Sequence, residues 1–132
     1  MKTVRIGMLG SGFVAEFYMQ GLADVNGQEV VLNYSRSPER ARSFARRWKI
    51  PFSTTNLDAA VARNDIDLFI IALPNEAHRP VSLKLSRARR HQVCTKPLAR
   101  EARDMFRAAR ASGALHGYAE TEVFSPAVVK AR

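Results

Sequence analysis

Three short stretches of this chain have residue types and spacings that could do chemistry. The first is Gly10-Ser11-Gly12-Phe13-Val14-Ala15, which could hold a pyrophosphate. Gly10 allows a tight turn, Gly12 lets a phosphate approach the backbone, and Ala15 replaces a third glycine where helix and strand pack closely. A helix opening at this turn would present free N–H groups and a partial positive charge to the anion. The second is Ser35-Arg36-Ser37. Sites for NAD usually carry a carboxylate there, about twenty residues past the glycines, to hold the ribose hydroxyls. A guanidinium instead suits a 2′-phosphate, through charge and paired hydrogen bonds, so Arg36 favours NADP. The competing reading is a solvated Arg36 and NAD held without an acidic clamp. The third is Cys94-Thr95-Lys96-Pro97. A lysine after a strand can hydrogen-bond a substrate hydroxyl and exchange its proton during hydride transfer. A lone lysine there is equally a solvated surface residue, and its residue type does not decide between the two.

Each stretch must be positioned by a strand end. Val4 to Leu9 reads as a β-branched, apolar strand leading into the glycine turn. From Phe13 a helical period places Val14, Phe17, Tyr18, Gly21 and Leu22 on one stripe. Glu29 to Tyr34 is a second strand. Ser37 then offers an N-cap and Pro38 a first helical residue, for a helix burying Ala41, Phe44, Ala45 and Trp48. Phe52 to Thr54 is a short extended piece, and Asn56 caps a small helix. Asp67 to Leu73 is an unbroken apolar run, as expected of a central parallel strand covered on both faces. Pro74-Asn75 leads into a helix from about Glu76 to Arg89. His91 to Thr95 is the next strand. Arg100 to Ala111 is a helix with Ala102, Met105, Phe106 and Ala109 facing in, ended by Gly113, and Ala114 to Ala119 is a last strand. Alternating strands and helices with short connections predict an α/β fold, a doubly wound parallel sheet.

These residues together resemble the N-terminal Rossmann domain of the Gfo/Idh/MocA (glucose–fructose oxidoreductase / inositol dehydrogenase) oxidoreductase family. The resemblance rests on Val4 to Ala15, on Ser35-Arg-Ser-Pro-Glu-Arg-Ala41, on Asp65 to Asn75 and on Thr95-Lys-Pro-Leu-Ala99. Gly117-Tyr-Ala-Glu120 and Phe124-Ser-Pro-Ala127 resemble the segment entering the family's second domain. The resemblance implies an NAD(P)-dependent oxidoreductase acting on a sugar, polyol or related hydroxy compound. It implies that Gly10, Ser11, Gly12, Phe13, Val14, Ser35, Arg36, Pro74, Asn75, His78 and Thr95 bind the cofactor and that Lys96 is catalytic. Thr95 departs from the family's Glu-Lys-Pro motif, where a glutamate precedes the lysine. The expected organisation is a cofactor-binding domain over residues 1–120 and the truncated start of a link over 121–132, with the substrate domain absent. The alternative is a stand-alone NAD(P)-binding module without chemistry.

The bulk properties narrow the remaining classes. The 132 residues suit one domain, and 46% hydrophobic with 25% charged residues is an ordinary globular make-up. Cys94 is the only cysteine, which points to a reducing cytoplasm and no disulfide framework. The longest apolar run, Leu68 to Leu73, is only of strand length, and Met1 to Arg5 is expected to lead into a strand rather than to form a signal peptide. His78, His91 and His116 are too scattered for a metal site. The net charge of +9 raises nucleic acid as a partner. However, Arg100, Arg103, Arg107 and Arg110 recur at helical spacing with no interleaved aromatics, the pattern of a solvated basic face. Phe124, Val128 and Val129 would be exposed in the isolated chain, so self-association is expected.

Overall fold

The computed structural model describes residues 2–120 together with 129 and 130. In chain order the elements are β1 (Val4–Leu9), α1 (Phe13–Leu22), β2 (Gln28–Tyr34), α2 (Pro38–Arg47), β3 (Phe52–Thr54) and α3 (Leu57–Val61). They continue with β4 (Leu68–Ile71), α4 (Asn75–Arg87), β5 (His91–Thr95), α5 (Arg103–Ser112) and β6 (His116–Ala119). The strands form one sheet in the order β3-β2-β1-β4-β5-β6, and every adjacent pair is parallel. The doubly wound sheet expected from the alternation is therefore present.

The two faces of this sheet carry separate cores. Ile6, Met8, Ile70 and Ala72 point to the side covered by Ala15 and Met19 of α1 and Phe44 and Ala45 of α2. Leu9, Phe69, Ile71 and Cys94 point to the other side, where Val81 and Leu85 of α4 and Met105 of α5 meet them. Successive strand residues alternate between the faces, and both faces are covered, so β4 and the buried part of β1, Ile6 to Leu9, read as continuous apolar runs. Glu16 ties the first two helices together: it accepts from Arg47 Nη1 and Trp48 Nε1, each at 2.7 Å.

Local signals explain the helix starts. The Ser37 hydroxyl accepts from the Arg40 N–H, and Pro38 occupies the first turn of α2. Asn56 caps α3 by accepting from the Ala59 N–H at 3.0 Å. Gly113 ends α5 with φ of +70°, a left-handed conformation that favours glycine.

Some expected faces differ. α1 turns Ala15 and Met19 inward, whereas Phe17 is 59% exposed and Val14 is exposed too. The seating of residues 15 and 19, four apart, against the sheet rotates 14 and 17 off that stripe. Likewise Met105 and Ala109 face the core of α5, and Phe106, one residue on from Met105, is 59% exposed. α5 also begins at Arg103 rather than Arg100, because Leu98 and Ala99 pack on the core in an irregular segment before it. Arg100 consequently precedes the basic helix face. β4 is shorter than the apolar run, although Ala72 still donates to the Leu9 carbonyl at 2.8 Å. Of the residues expected in the exposed C-terminal patch, Val129 is exposed, while Phe124 and Val128 lie outside the described residues.

Candidate functional site

The strand order reverses between β1 and β4, where successive connections leave on opposite faces of the sheet. Such a switch point opens a crevice at the carboxyl ends of the strands, where open α/β sheets bind their ligands. Here it is a cleft of about 480 Å³. Its walls come from the turn Gly10 to Val14, from Ser35, Arg36, Ser37 and Arg40, and from Ala72, Leu73 and Pro74. Residues far apart in the chain thus meet because β1, β2 and β4 end side by side.

The glycine turn is held by neighbours on both sides. The Gly10 N–H donates to the Tyr34 carbonyl at 2.8 Å, closing the β1–β2 ladder. Gly10 has φ of +128°, and a Cβ built there would lie 2.3 Å from the Ala72 carbonyl oxygen. Only glycine fits that close approach of β1 to β4. The Ser11 hydroxyl donates to the Ser35 hydroxyl at 2.8 Å, fastening the turn to the end of β2.

Gly12 is the N-cap of α1 in extended backbone, and no side chain caps the helix there. A Cβ at Gly12 would meet nothing within 4 Å. The helix N-terminus therefore faces open space with its N–H groups and its partial positive charge available to an anion. Phe13, beside it, is 84% exposed on the cleft wall. A bare helix end, a glycine with open space above it and a cationic far wall fit a dinucleotide laid across the strand ends.

That far wall holds Arg36 and Arg40, both exposed, on either side of the α2 N-terminus. Arg40 was not among the residues expected from sequence. Its spacing of four from Arg36 across a capped helix start was the available signal. Two guanidiniums, the Ser35 and Ser37 side chains and a helix N-terminus line this end of the cleft, with no carboxylate among the cleft-lining residues.

Two expected contacts lie elsewhere. His78 is fully buried in the first turn of α4. Its Nδ1 lies 2.7 Å from the Pro97 carbonyl oxygen and its Nε2 2.8 Å from that of Leu73. Thr95 is also buried, with its hydroxyl 3.5 Å from His78 Nε2. Neither side chain faces the cleft. Together they tie the β4–α4 turn to the segment that carries Lys96, so they support the site from beneath. The sequence could place both near the strand ends, but it could not show which way they point.

Lys96 is exposed immediately beyond β5, and the Lys96–Pro97 peptide is cis. Pro74 lines the main cleft, whereas Asn75 lines a neighbouring hollow with Glu76, Arg79, Pro97, Ala99, Arg100 and Glu101. Cys94, His91 and His116 make contacts within the fold. Burial pushes the Cys94 thiol up to about 12, so it stays protonated. His91 Nδ1 accepts from the Leu115 N–H at 2.9 Å. His116 lies 3.4 Å from the Ser82 hydroxyl, and burial lowers its pKa. No group of three metal-ligating side chains occurs among the described residues.

The strand order, the switch-point cleft and the glycine turn at a helix start define a dinucleotide-binding Rossmann domain. Residues 4–119 match the family model GFO_IDH_MocA, described as an oxidoreductase family with the NAD-binding Rossmann fold, and the chain belongs to that family. It is 35% identical over 116 residues to 1,5-anhydro-D-fructose reductase of Ensifer adhaerens, covering 86% of this chain and 35% of that protein. It is 28% identical to scyllo-inositol 2-dehydrogenase (NADP(+)) IolU of Bacillus subtilis (strain 168), covering 93% of this chain and 38% of that one. Among solved structures, levoglucosan dehydrogenase in complex with NADH and levoglucosan superposes with a TM-score of 0.90 at 26% identity. That match covers 96% of this chain and 37% of the other. The chain thus spans about a third of the length of the curated relatives it matches.

Proposed function

We propose that this chain binds NADP in preference to NAD and serves an oxidoreductase that moves a hydride between the nicotinamide and a sugar, polyol or related hydroxy compound. The observation that carries the reading is the cleft at the β1–β4 switch point, with a bare helix N-terminus at one end and Arg36 and Arg40 at the other. Gly10 to Val14 would hold the pyrophosphate. Ser35, Arg36, Ser37 and Arg40 would hold the 2′-phosphate, with Pro74 and Asn75 along the nicotinamide half. When bound, the nicotinamide supplies or accepts the hydride. Lys96, at the carboxyl end of β5, would hydrogen-bond the reacting oxygen and move its proton.

The relatives support the substrate class, since their names are those of a reductase of an anhydro-sugar and a dehydrogenase of an inositol. They also include both an NADP-dependent enzyme and an NADH complex, so the preference rests on the two arginines. We read residues 1–120 as the cofactor-binding unit, with substrate specificity lying outside it. A single buried cysteine suits a reducing, cytoplasmic setting. Exposed Phe13, Phe17, Leu115 and Val129 support self-association of the chain.

Calorimetric titration with NADPH and NADH tests the proposal. NADPH should bind at least about tenfold more tightly, a difference of about 1.4 kcal/mol. Arg36→Ala combined with Arg40→Ala should erase that difference and leave NADH affinity within about twofold. Tighter binding of NADH by the unsubstituted chain would refute the NADP preference. Binding of neither would refute the cofactor reading.

A further inference from the structure

β2 places an amide where its neighbours are apolar. Val30, Val31, Leu32 and Tyr34 are buried hydrophobic residues, and Asn33 among them is completely buried. Asparagine is depleted in strands, and a buried carboxamide needs partners for every polar atom. Only one half of this one is satisfied. Nδ2 donates to the Gly10 carbonyl at 2.7 Å and to the Met8 carbonyl at 3.3 Å. Oδ1 is buried with no hydrogen-bond partner among the described residues. Both groups facing Nδ2 are carbonyl oxygens, so the nitrogen and its two hydrogens belong on that side.

The Gly10 carbonyl explains the placement. The β1–β2 register ends at the pair Leu9 and Tyr34, with the Gly10 N–H bonded to the Tyr34 oxygen. The Gly10 carbonyl lies past the last pair, where the strand ladder offers no donor. Asn33 supplies that donor from within the sheet. The Gly10–Ser11 peptide is planar, so holding its carbonyl toward β2 also fixes the Ser11 N–H on the opposite side, away from Asn33. The same plane sets the course of Ser11, whose hydroxyl reaches Ser35, and of Gly12, which opens α1. At φ of +128°, Gly10 is a residue for which several peptide orientations are open, and an anchor selects one.

We propose that Asn33 is a positioning residue for the dinucleotide: its carboxamide locks the Gly10–Ser11 peptide in the orientation that the pyrophosphate-binding turn requires. It acts through the turn from the buried side and does not touch the cofactor. The proposal rests on the reading of Gly10 to Val14 as the pyrophosphate site. It makes binding of the two phosphate-recognising halves of the cleft separable, because Arg36 and Arg40 lie beyond the element that Asn33 holds.

The test is titration of the unsubstituted chain, Asn33→Leu and Asn33→Ala with NADPH and with adenosine 2′-monophosphate, which lacks the pyrophosphate, alongside thermal melting. Asn33→Leu keeps the branched shape with bulkier ends and removes the donor, and Asn33→Ala removes the donor without crowding. In whichever variant melts cooperatively, NADPH should weaken by at least about tenfold while adenosine 2′-monophosphate stays within about twofold. A role confined to stability would lower the melting temperature and leave both affinities unmoved in the folded protein, which would overturn the proposal. Equal weakening of both ligands would overturn it too, as would failure of both variants to fold, which would make Asn33 a requirement of the sheet. Absence of NADPH binding by the unsubstituted chain would instead refute the cofactor reading itself.

Discussion

Replacing each of the two turn glycines by alanine separates the part of the turn that builds the fold from the part that meets the ligand. At Gly10 the new Cβ would sit 2.3 Å from the Ala72 carbonyl oxygen and 2.8 Å from its carbon, on a backbone with φ of +128°. The strained dihedral costs about 1–3 kcal/mol, and the clash adds a further 1–3 kcal/mol because both flanking strands are hydrogen-bonded in place. The sum is about 2–6 kcal/mol. At about 4 °C per kcal/mol for a domain of this size, Gly10→Ala should melt about 8–24 °C lower. At Gly12 the Cβ would meet no atom within 4 Å, and φ is −95°, which alanine adopts freely. Poorer capping costs a few tenths to 1 kcal/mol, and the stiffer unfolded chain returns about 0.4–1 kcal/mol. Gly12→Ala should therefore melt within about 4 °C of the unsubstituted chain. Its methyl group, however, would stand in the space above the α1 N-terminus, and NADPH affinity should fall at least about tenfold. Differential scanning calorimetry and titration on the same samples read both effects. Undiminished NADPH binding by Gly12→Ala would refute the path of the pyrophosphate over that residue. An unshifted melting temperature for Gly10→Ala would refute the close approach of β1 and β4 as the reason for glycine there.

In a longer protein that carries this domain and turns over a sugar or polyol, Lys96→Ala should leave NADPH affinity within about twofold and lower turnover by about 10²–10⁴, followed by nicotinamide absorbance. Full turnover would remove Lys96 from the chemistry. Burial holds His116 below its usual value of 6.5 in the folded chain, so the unfolded chain takes up the proton first. Its contribution is intact above pH 6.5 and is lost as the pH falls below it; His116→Gln should flatten the fall in urea stability below pH 6.5, and an unchanged slope would contradict the assignment. Cys94, with its thiol pushed up to about 12, should resist iodoacetamide in native protein at neutral pH and react fully in denaturant, as read by mass. Rapid native labelling would show that the thiol is not enclosed in the core with Val81, Leu85 and Met105.

Lys96 also shows where reading from the linear chain ends. The strand pattern of His91 to Thr95 was legible, so the lysine could be placed at a strand's carboxyl end. The bond partners of His78, 19 residues from Pro97, depend on how α4 turns over β5, and no local pattern encodes that rotation. The same holds for Phe17 and Phe106, whose apolar character promised burial. Helix faces are chosen by the pair of residues that seats best on the sheet, and in both helices small or flexible residues won: Ala15 with Met19, and Met105 with Ala109.

The sequence by itself determined the alternation of strands and helices, the helix starts at Ser37 and Asn56, and the glycine turn, because each rests on neighbours within a few residues. It also determined that a cation rather than a carboxylate follows β2. Only the tertiary structure decided that Arg40 joins Arg36 in one cleft, that His78 and Thr95 face inward, and that Asn33 reaches across to the Gly10 carbonyl. Those relations depend on strands 23 to 62 residues apart lying side by side in register, a consequence of burying both faces of one sheet that no local signal carries.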